Sequence, residues 1–332
     1  MSETVAPLLE IRGLHAGIDR RTDPVTILRD VAFDIRPGEM VGVVGESGSG
    51  KSMTALAVMG LLPAAVSVTS GSVRFDGDDL VAASKRAIRD VRGRRIGMIF
   101  QDPMTTLDPV VKVGRQIEEA YRIHHRGASR AAARARAAEV LELVGVPDVV
   151  RRMQQYPHQW SGGMRQRAVI AMALVNDPDL LIADEPTTAL DATIQAQVLE
   201  VLARARTELG VAIMLITHDL GVIAQYADRV IVMYAGQVME SATTTELFDD
   251  SRHPYSQALI RSRPALAEPG GRLPAIPGQP PSLDRLPVGC PFAPRCTSAF
   301  KSQRCVQEPT AVAPSINGRL SACHYRDFQE QS

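Results

Sequence analysis

The 332-residue sequence has no apolar run of about 18 residues or more, the length a helix needs to cross a bilayer, so it offers no spanning segment. It has no charge imbalance either: Lys+Arg and Asp+Glu both number 37. Without a global basic field, neither nucleic acid nor an anionic membrane is held by electrostatics alone, and no nucleic-acid partner is expected. Residues Met1 to Gly13 lack a basic patch followed by an apolar stretch, so no signal peptide is read there and a soluble, intracellular chain is expected. Lysine is scarce: only Lys51, Lys85, Lys112 and Lys301 occur among the 37 basic residues. A lysine that persists inside a glycine loop of so Arg-rich a chain is therefore informative.

What is present is ordinary globular material. Hydrophobic residues are 45% and charged residues 22%, in a length that suits roughly two domains. Residues 264–332 differ from the rest, holding 11 of the 22 prolines and all four cysteines, and a boundary is placed at 264. Before it, β-type runs at Leu8–Leu14, Val31–Ile35 and Met40–Val44 precede a predicted helix over Lys51–Leu62. Strands follow at Ser72–Phe75 and Ile96–Phe100, then helical pattern through 113–145. Beyond Ser161, a helix to Val175, a strand at Leu180–Ala183, a helix over Ile194–Leu209 and a strand over Val211–Thr217 alternate. Val230–Tyr234 and Gln237–Glu240 read as a hairpin across Ala235 and Gly236. The pattern is α/β with a largely parallel sheet, interrupted by a helical insertion.

Two patterns carry chemistry. Gly45, Glu46, Ser47, Gly48, Ser49, Gly50, Lys51 and Ser52 fill G-x-x-x-x-G-K-[ST] completely, between a buried strand and a helix. Successive backbone N–H groups of such a loop curl around the phosphates of a nucleotide, and the helix N-terminus favours the anion. Lys51 is placed for the β- and γ-phosphates and the Ser52 hydroxyl for Mg²⁺. The plain alternative, a loop that merely turns, does not explain both flanks. The second pattern is the apolar run Leu180–Ala183 ending in Asp184 and Glu185. Asp184 is placed to hold Mg²⁺ and Glu185 to polarise the attacking water.

Between these patterns, Trp160-Ser161-Gly162-Gly163-Met164-Arg165-Gln166 resembles the signature motif of ABC-type ATPases. Gln101 is similar to the Q-loop glutamine of that family, Ala189-Leu190-Asp191 to its D-loop and His218 to its switch histidine. The resemblance implies a P-loop NTPase core that hydrolyses ATP with Mg²⁺ held by Ser52, Gln101 and Asp184. It implies Glu185, His218 and Gln101 at the reaction centre, and a dimer in which Ser161, Gly162, Gly163 and Asp191 meet the nucleotide of the second subunit. It also implies domain limits of 1–101 and 161–263 for the ATPase core and 102–160 for a helical subdomain, with 264–332 as an extension. One departure is notable: the family's adenine-stacking aromatic belongs in a loop after the first strand, and His15-Ala-Gly-Ile18 holds no Phe, Tyr or Trp.

Within the family, Gln101-Asp-Pro-Met-Thr-Thr-Leu-Asp-Pro109, Tyr156-Pro-His-Gln-Trp160, His253-Pro-Tyr255 and Gly289-Cys-Pro-Phe-Ala-Pro-Arg-Cys296 resemble the ATPase subunits of dipeptide and oligopeptide importers. That likeness implies two membrane permeases, a second ATPase subunit that is a homologue by preference and a copy of this chain as the alternative, an indirect extracytoplasmic substrate-binding protein, and a peripheral place on the cytoplasmic face of the inner membrane. Nickel, glutathione and sugar-like solutes are the alternative cargoes, and a non-transport ABC ATPase the alternative class. The four cysteines are spaced C-x5-C-x8-C-x17-C, as Cys290, Cys296, Cys305 and Cys323. Four thiols in a Pro-rich intracellular tail suggest a metal, Zn²⁺ or a [4Fe–4S] cluster, although no C-x2-C pair is present. The family likeness favours the cluster, with thiols left unmetallated as the plain alternative.

Overall fold

A computed structural model describes residues 6–19, 25–101, 106–188, 191–263, 275–314 and 319–327. In chain order the elements begin with strands β1 (Leu9–Ile18), β2 (Val25–Ile35) and β3 (Met40–Val44), helix α1 (Lys51–Val58), and strands β4 (Ser67–Phe75) and β5 (Asp78–Asp79). Helix α2 (Lys85–Val91), strand β6 (Ile96–Ile99) and helices α3 (Val113–His124), α4 (Arg130–Leu143), α5 (Val149–Arg152) and α6 (Gly162–Leu174) follow. Next come β7 (Leu180–Asp184), α7 (Ala192–Leu209), β8 (Ala212–Ile216), α8 (Leu220–Tyr226), β9 (Arg229–Tyr234) and β10 (Gln237–Thr243). Helices α9 (Thr244–Asp250), α10 (Pro254–Arg261) and α11 (Gln303–Gln307) and strands β11 (Ala313–Pro314) and β12 (Leu320–Ser321) complete the chain.

The chain forms two compact units. The first comprises residues 1–8, 35–40 and 83–216. Its β7 pairs in parallel with both β6 and β8. Every residue of β7 and β8 is buried, which is why their sequences run apolar without alternation. Helices α3, α4 and α6 pack on one another, with Ala133, Ala137, Val140 and Leu141 forming the buried face of α4. Alanine in α4 thus serves both helix propensity and close packing.

The second unit comprises residues 9–34, 41–82 and 217–332. In it β1 pairs antiparallel with β4, in a sheet ordered β2-β1-β4-β5. A separate set runs β3-β9-β10-β12-β11, with β3 parallel to β9 and the other pairs antiparallel. The expected hairpin is present as β9 and β10. Its turn places Ala235 at φ 48° and Gly236 at φ 81°, the paired positive values of a two-residue hairpin turn. A Cβ on Gly236 would lie 2.0 Å from the Ile27 carbonyl oxygen, so only glycine fits.

Several boundaries differ from expectation: β4 begins at Ser67 rather than Ser72 and β10 runs on to Thr243 rather than Glu240, and three further differences have a clear cause. Strand β1 runs on to Ile18, pairing His15 with Ser70 and Gly17 with Ser67 through a register irregularity. The stretch expected as an adenine-facing loop is therefore strand. Strand β2 begins at Val25, because cross-strand pairing extends it beyond its clearly alternating end. Helix α1 stops at Val58, where Gly60 takes φ 58° and ends the helix before Pro63.

Candidate active site

In the second unit, β3 delivers the chain into the glycine loop. A Cβ on Gly45 would sit 2.1 Å from the Met233 carbonyl oxygen, so the loop's first residue is fixed as glycine by the close approach of β9. Gly48 and Gly50 take φ 77° and 101°, and Gly50 is the N-cap of α1. Lys51 is buried and its ammonium donates to the carbonyls of Gly45 at 2.8 Å and Glu46 at 3.0 Å, and to Ser49 Oγ at 3.3 Å. A buried ammonium must be satisfied by oxygen. The loop's own acceptors do this here, holding the lysine folded over the concavity that its N–H groups surround. The hairpin turn braces the loop from behind, with Gly236 N–H donating to the Ser49 carbonyl at 2.9 Å.

His218 is exposed in this unit. Its neighbours are fixed: Thr217 N–H donates to the Val43 carbonyl at 3.3 Å, and Thr217 Oγ1 accepts from Asp219 N–H at 3.0 Å. Asp219 in turn caps α8 through Gly221 N–H at 2.7 Å.

In the first unit, Asp184 ends β7 with a buried side chain. Glu185 follows at φ 48°, a left-handed conformation that costs a residue with a Cβ. Hydrogen bonds hold it there, among them Thr188 N–H to the Glu185 carbonyl at 3.1 Å. The Glu185 N–H donates to the Ile216 carbonyl at 2.9 Å, and its Oε2 accepts from Gln101 Nε2 at 3.2 Å and from Thr188 Oγ1 at 2.8 Å. The structure thus brings Gln101 and Glu185 together. Thr188 was not singled out in the sequence, although it stands three residues beyond Glu185 in the same loop.

Ser161 caps α6 by accepting from Met164 N–H at 3.4 Å, which leaves the amides of Gly162 and Gly163 in the first helical turn. Gln166, one turn on and buried, donates to the Pro186 carbonyl at 2.6 Å. The helix that carries Ser161 is therefore tied to the loop that carries Glu185. Asp191 caps α7, accepting from Thr193 N–H at 3.1 Å and Ile194 N–H at 3.0 Å. Ala189 and Leu190 of the D-loop pattern, and residues 102–105 after Gln101, lie outside the described residues.

The four cysteines do not assemble as expected. Cys296, Cys305 and Cys323 line one small cavity. Cys290 N–H donates to the Cys305 carbonyl at 2.9 Å. Among the described residues, however, no group of three or more His, Cys, Asp or Glu side chains converges to hold a metal ion. The zinc or iron–sulfur site expected from four cysteines in one short tail is thus not formed by the described residues as placed. Burial pushes the Cys290 thiol up to about 12 and the Cys323 thiol up to about 11, the direction that keeps the metal-free sulfur protonated.

Comparison with known proteins follows this geometry closely. Residues 28–188 match the family model described as ABC transporter, and residues 239–305 the one described as oligopeptide/dipeptide transporter, C-terminal region. A putative peptide import ATP-binding protein of Brucella melitensis is 48% identical over 325 residues, covering 97% of this chain and 96% of the relative. The oligopeptide transport ATP-binding protein OppD of Mycobacterium bovis is 53% identical over 293 residues, which span 88% of this chain but only 48% of that relative. Among solved structures, the dimeric ATP-binding cassette MJ0796 bound to ADP and Pi is 28% identical with a TM-score of 0.63, covering 71% of this chain and 98% of that one. CbiO1 from Clostridium perfringens, part of a cbiONQ transporter complex, is 27% identical with a TM-score of 0.63, covering 74% and 91%.

Proposed function

The chain belongs to the ATP-binding subunits of ABC transporters, and from that premise we propose that it hydrolyses MgATP to energise import of di- or oligopeptides. The observation that carries the chemistry is the glycine loop with Lys51 folded onto the carbonyls of Gly45 and Glu46. Incoming phosphate oxygens replace those carbonyls as partners of the ammonium, and the loop's N–H groups and the α1 N-terminus add further donors. Ser52, Asp184 and Gln101 are the residues that would supply oxygens to Mg²⁺, a hard cation that favours such ligands, and the ion would neutralise phosphate charge. Glu185 takes a proton from the attacking water, in a pose fixed by Gln101 and Thr188. His218 and Gln101 respond to the γ-phosphate.

The working unit in this reading is a nucleotide sandwich, in which Ser161, Gly162, Gly163 and Asp191 of each subunit face nucleotide on the other. The second subunit is a homologous ATPase rather than a copy of this chain. The limits 1–101 and 161–263 for the core, 102–160 for the helical subdomain and 264–332 for the extension belong to the same proposal. Helices α3 and α4 bound an open cleft of about 850 Å³ that suits a permease segment, with Lys112, Arg115, Glu118, Arg122 and Arg134 on its walls. Among the described residues no helix is long and apolar enough to cross a membrane. In this reading the chain is held at the membrane's cytoplasmic face by two permeases, as its likeness to peptide-import ATP-binding proteins suggests. The extracytoplasmic binding protein acts on those permeases and does not touch this chain. A metal at the four cysteines rests on their confinement to one Pro-rich tail, on the family likeness and on the cavity three of them share; iron near four or zinc near one per chain after anaerobic purification tests it, and no step above depends on it.

The deciding experiment is a mild-detergent pull-down of the tagged chain from its native membranes, followed by uptake assays on the recovered complex in vesicles. Two polytopic permeases, a second ATPase and ATP-dependent uptake of a peptide are expected. Ribosomal or DNA-repair partners reject the transport reading. Uptake of nickel or glutathione but not peptide rejects the cargo.

A further inference from the structure

The second residue of the glycine loop is an acid, which is an awkward choice beside a site for a triphosphate. Its surroundings resolve the difficulty. The Glu46 carboxylate accepts two bonds from the guanidinium of Arg295, Nη1 to Oε2 at 2.5 Å and Nη2 to Oε1 at 3.0 Å. Arg295 lies 249 residues further along, in the turn that follows Cys290, and its side chain is only 4% exposed. It is held in place by the carbonyls of Ile276 and Pro277, at 3.2 and 2.9 Å, and by Tyr234 Oη at 3.2 Å. The Glu46 backbone is fixed as well: its N–H donates to Tyr255 Oη at 2.9 Å and its carbonyl accepts from Lys51. Tyr234, Tyr255 and Phe292 form an aromatic cluster beside the pair, with ring centroids 4.6 to 5.5 Å apart. Pro280, Pro281 and Leu283 line a small cavity against residues 46–49. All of these residues lie in the second unit.

We propose that Arg295 is a positioning residue for nucleotide binding: from the C-terminal extension it neutralises and clamps Glu46, so that the loop presents a fixed concavity without a net negative charge at its mouth. The inference rests on the nucleotide reading above and extends it, because it makes residues 276–295 part of the nucleotide site. A two-pronged guanidinium–carboxylate pair fixes direction as well as charge, and a carboxylate left without it stands unpaired next to phosphate. Through Glu46 the pair is linked to Lys51, whose ammonium donates to the Glu46 carbonyl at 3.0 Å. The extension therefore acts on ATP affinity through charge as well as through fold.

The test is titration of the full chain with MgATP by calorimetry, for wild type, Arg295→Met, Glu46→Gln and the double variant. Arg295→Met is expected to raise the Kd roughly tenfold, the cost of leaving a partly buried carboxylate unpaired. Glu46→Gln is the reference for the cycle, and the double variant is expected to bind within about threefold of it, recovering most of the loss seen for Arg295→Met alone. A structural role for Arg295 predicts otherwise, since losing its bonds to Ile276 and Pro277 is not repaired at Glu46. An Arg295→Met chain that binds like wild type, or a double variant as weak as Arg295→Met, overturns the inference. Where Arg295→Met does not fold, Arg295→Lys is read instead: it keeps the charge but not the fork, and a roughly threefold rise in Kd cancelled by Glu46→Gln is expected. No rise there, or one that Glu46→Gln leaves in place, overturns the inference equally. A wild-type chain that fails to bind MgATP removes the nucleotide reading itself, a result distinct from all of these.

Discussion

Gln101 and Glu185, 84 residues apart, are joined by a hydrogen bond of 3.2 Å from the Gln101 amide to the carboxylate of a residue held at φ 48°. Thr188 donates to the same carboxylate oxygen at 2.8 Å. The side chain assigned to activate water is thus braced by the protein's own groups, and a backbone conformation that costs energy persists because these bonds hold it.

Glu185→Gln keeps the shape of that side chain and removes its basicity. The expected result is MgATP affinity within about threefold of wild type and a turnover rate lower by roughly 10² to 10⁴, the range for loss of a general base. Single-turnover hydrolysis beside a binding titration measures both. Near-normal turnover would assign the proton acceptor elsewhere.

Lys51→Ala removes the ammonium that bridges Gly45, Glu46 and Ser49. Saturating MgATP at a hundred times the Kd stabilises a binding-competent chain by roughly 2.7 kcal/mol through mass action. Thermal unfolding with and without MgATP should therefore show an upward shift for wild type and none for the variant. Equal shifts would place the nucleotide away from this loop.

The site's local parts were legible because each is a short pattern with its own context. The glycine loop sits between a strand and a helix, Asp184 and Glu185 end an apolar run, and Ser161 opens a helix. Their bracing was not legible. Gln101 and Glu185 meet only through the pairing of β6 with β7, and no spacing in the chain announces that Arg295 reaches Glu46. Arg295 lies between Cys290 and Cys296, where cysteine chemistry is the stronger local signal. Helix α9 was missed although Thr243 and Glu246 form a capping box, with bonds of 3.3 Å and 3.0 Å that the spacing T-x-x-E announces. The adenine-facing loop was misplaced because β1 continues through Gly17. There strand pairing overrides the turn tendency of an isolated glycine.

The thiols give a chemical prediction. Burial raises Cys290 to about 12 and Cys323 to about 11, and only the thiolate alkylates. In the folded, metal-free chain at pH 8, iodoacetamide should label these two at least roughly tenfold more slowly than in urea. Mass spectrometry of timed digests reads each cysteine separately. Rapid labelling of Cys290 in the folded chain would mean that its environment is open.

His253 sets a pH dependence whose direction can be worked out. Its side chain is 1% exposed, and its Nδ1 caps α10 by accepting from Tyr255 N–H at 3.0 Å, a role open only to the neutral ring. Burial lowers its value from 6.5 to about 3. Between those values the unfolded chain binds a proton that the folded chain refuses. The stability owed to neutral His253 is therefore complete above pH 6.5 and is lost as pH falls towards 3, at up to about 1.4 kcal/mol per pH unit. Glu240 opposes this: its buried carboxyl is raised above 4.5, so folding favours its proton as pH falls. His253→Asn separates the two, since asparagine retains a capping oxygen and has no titrating ring. Urea unfolding between pH 4.5 and 6.5 should show wild type losing stability more steeply than the variant by about 1 kcal/mol per pH unit. Parallel slopes would mean that His253 is protonated in the folded chain and that the cap on α10 is made by another group.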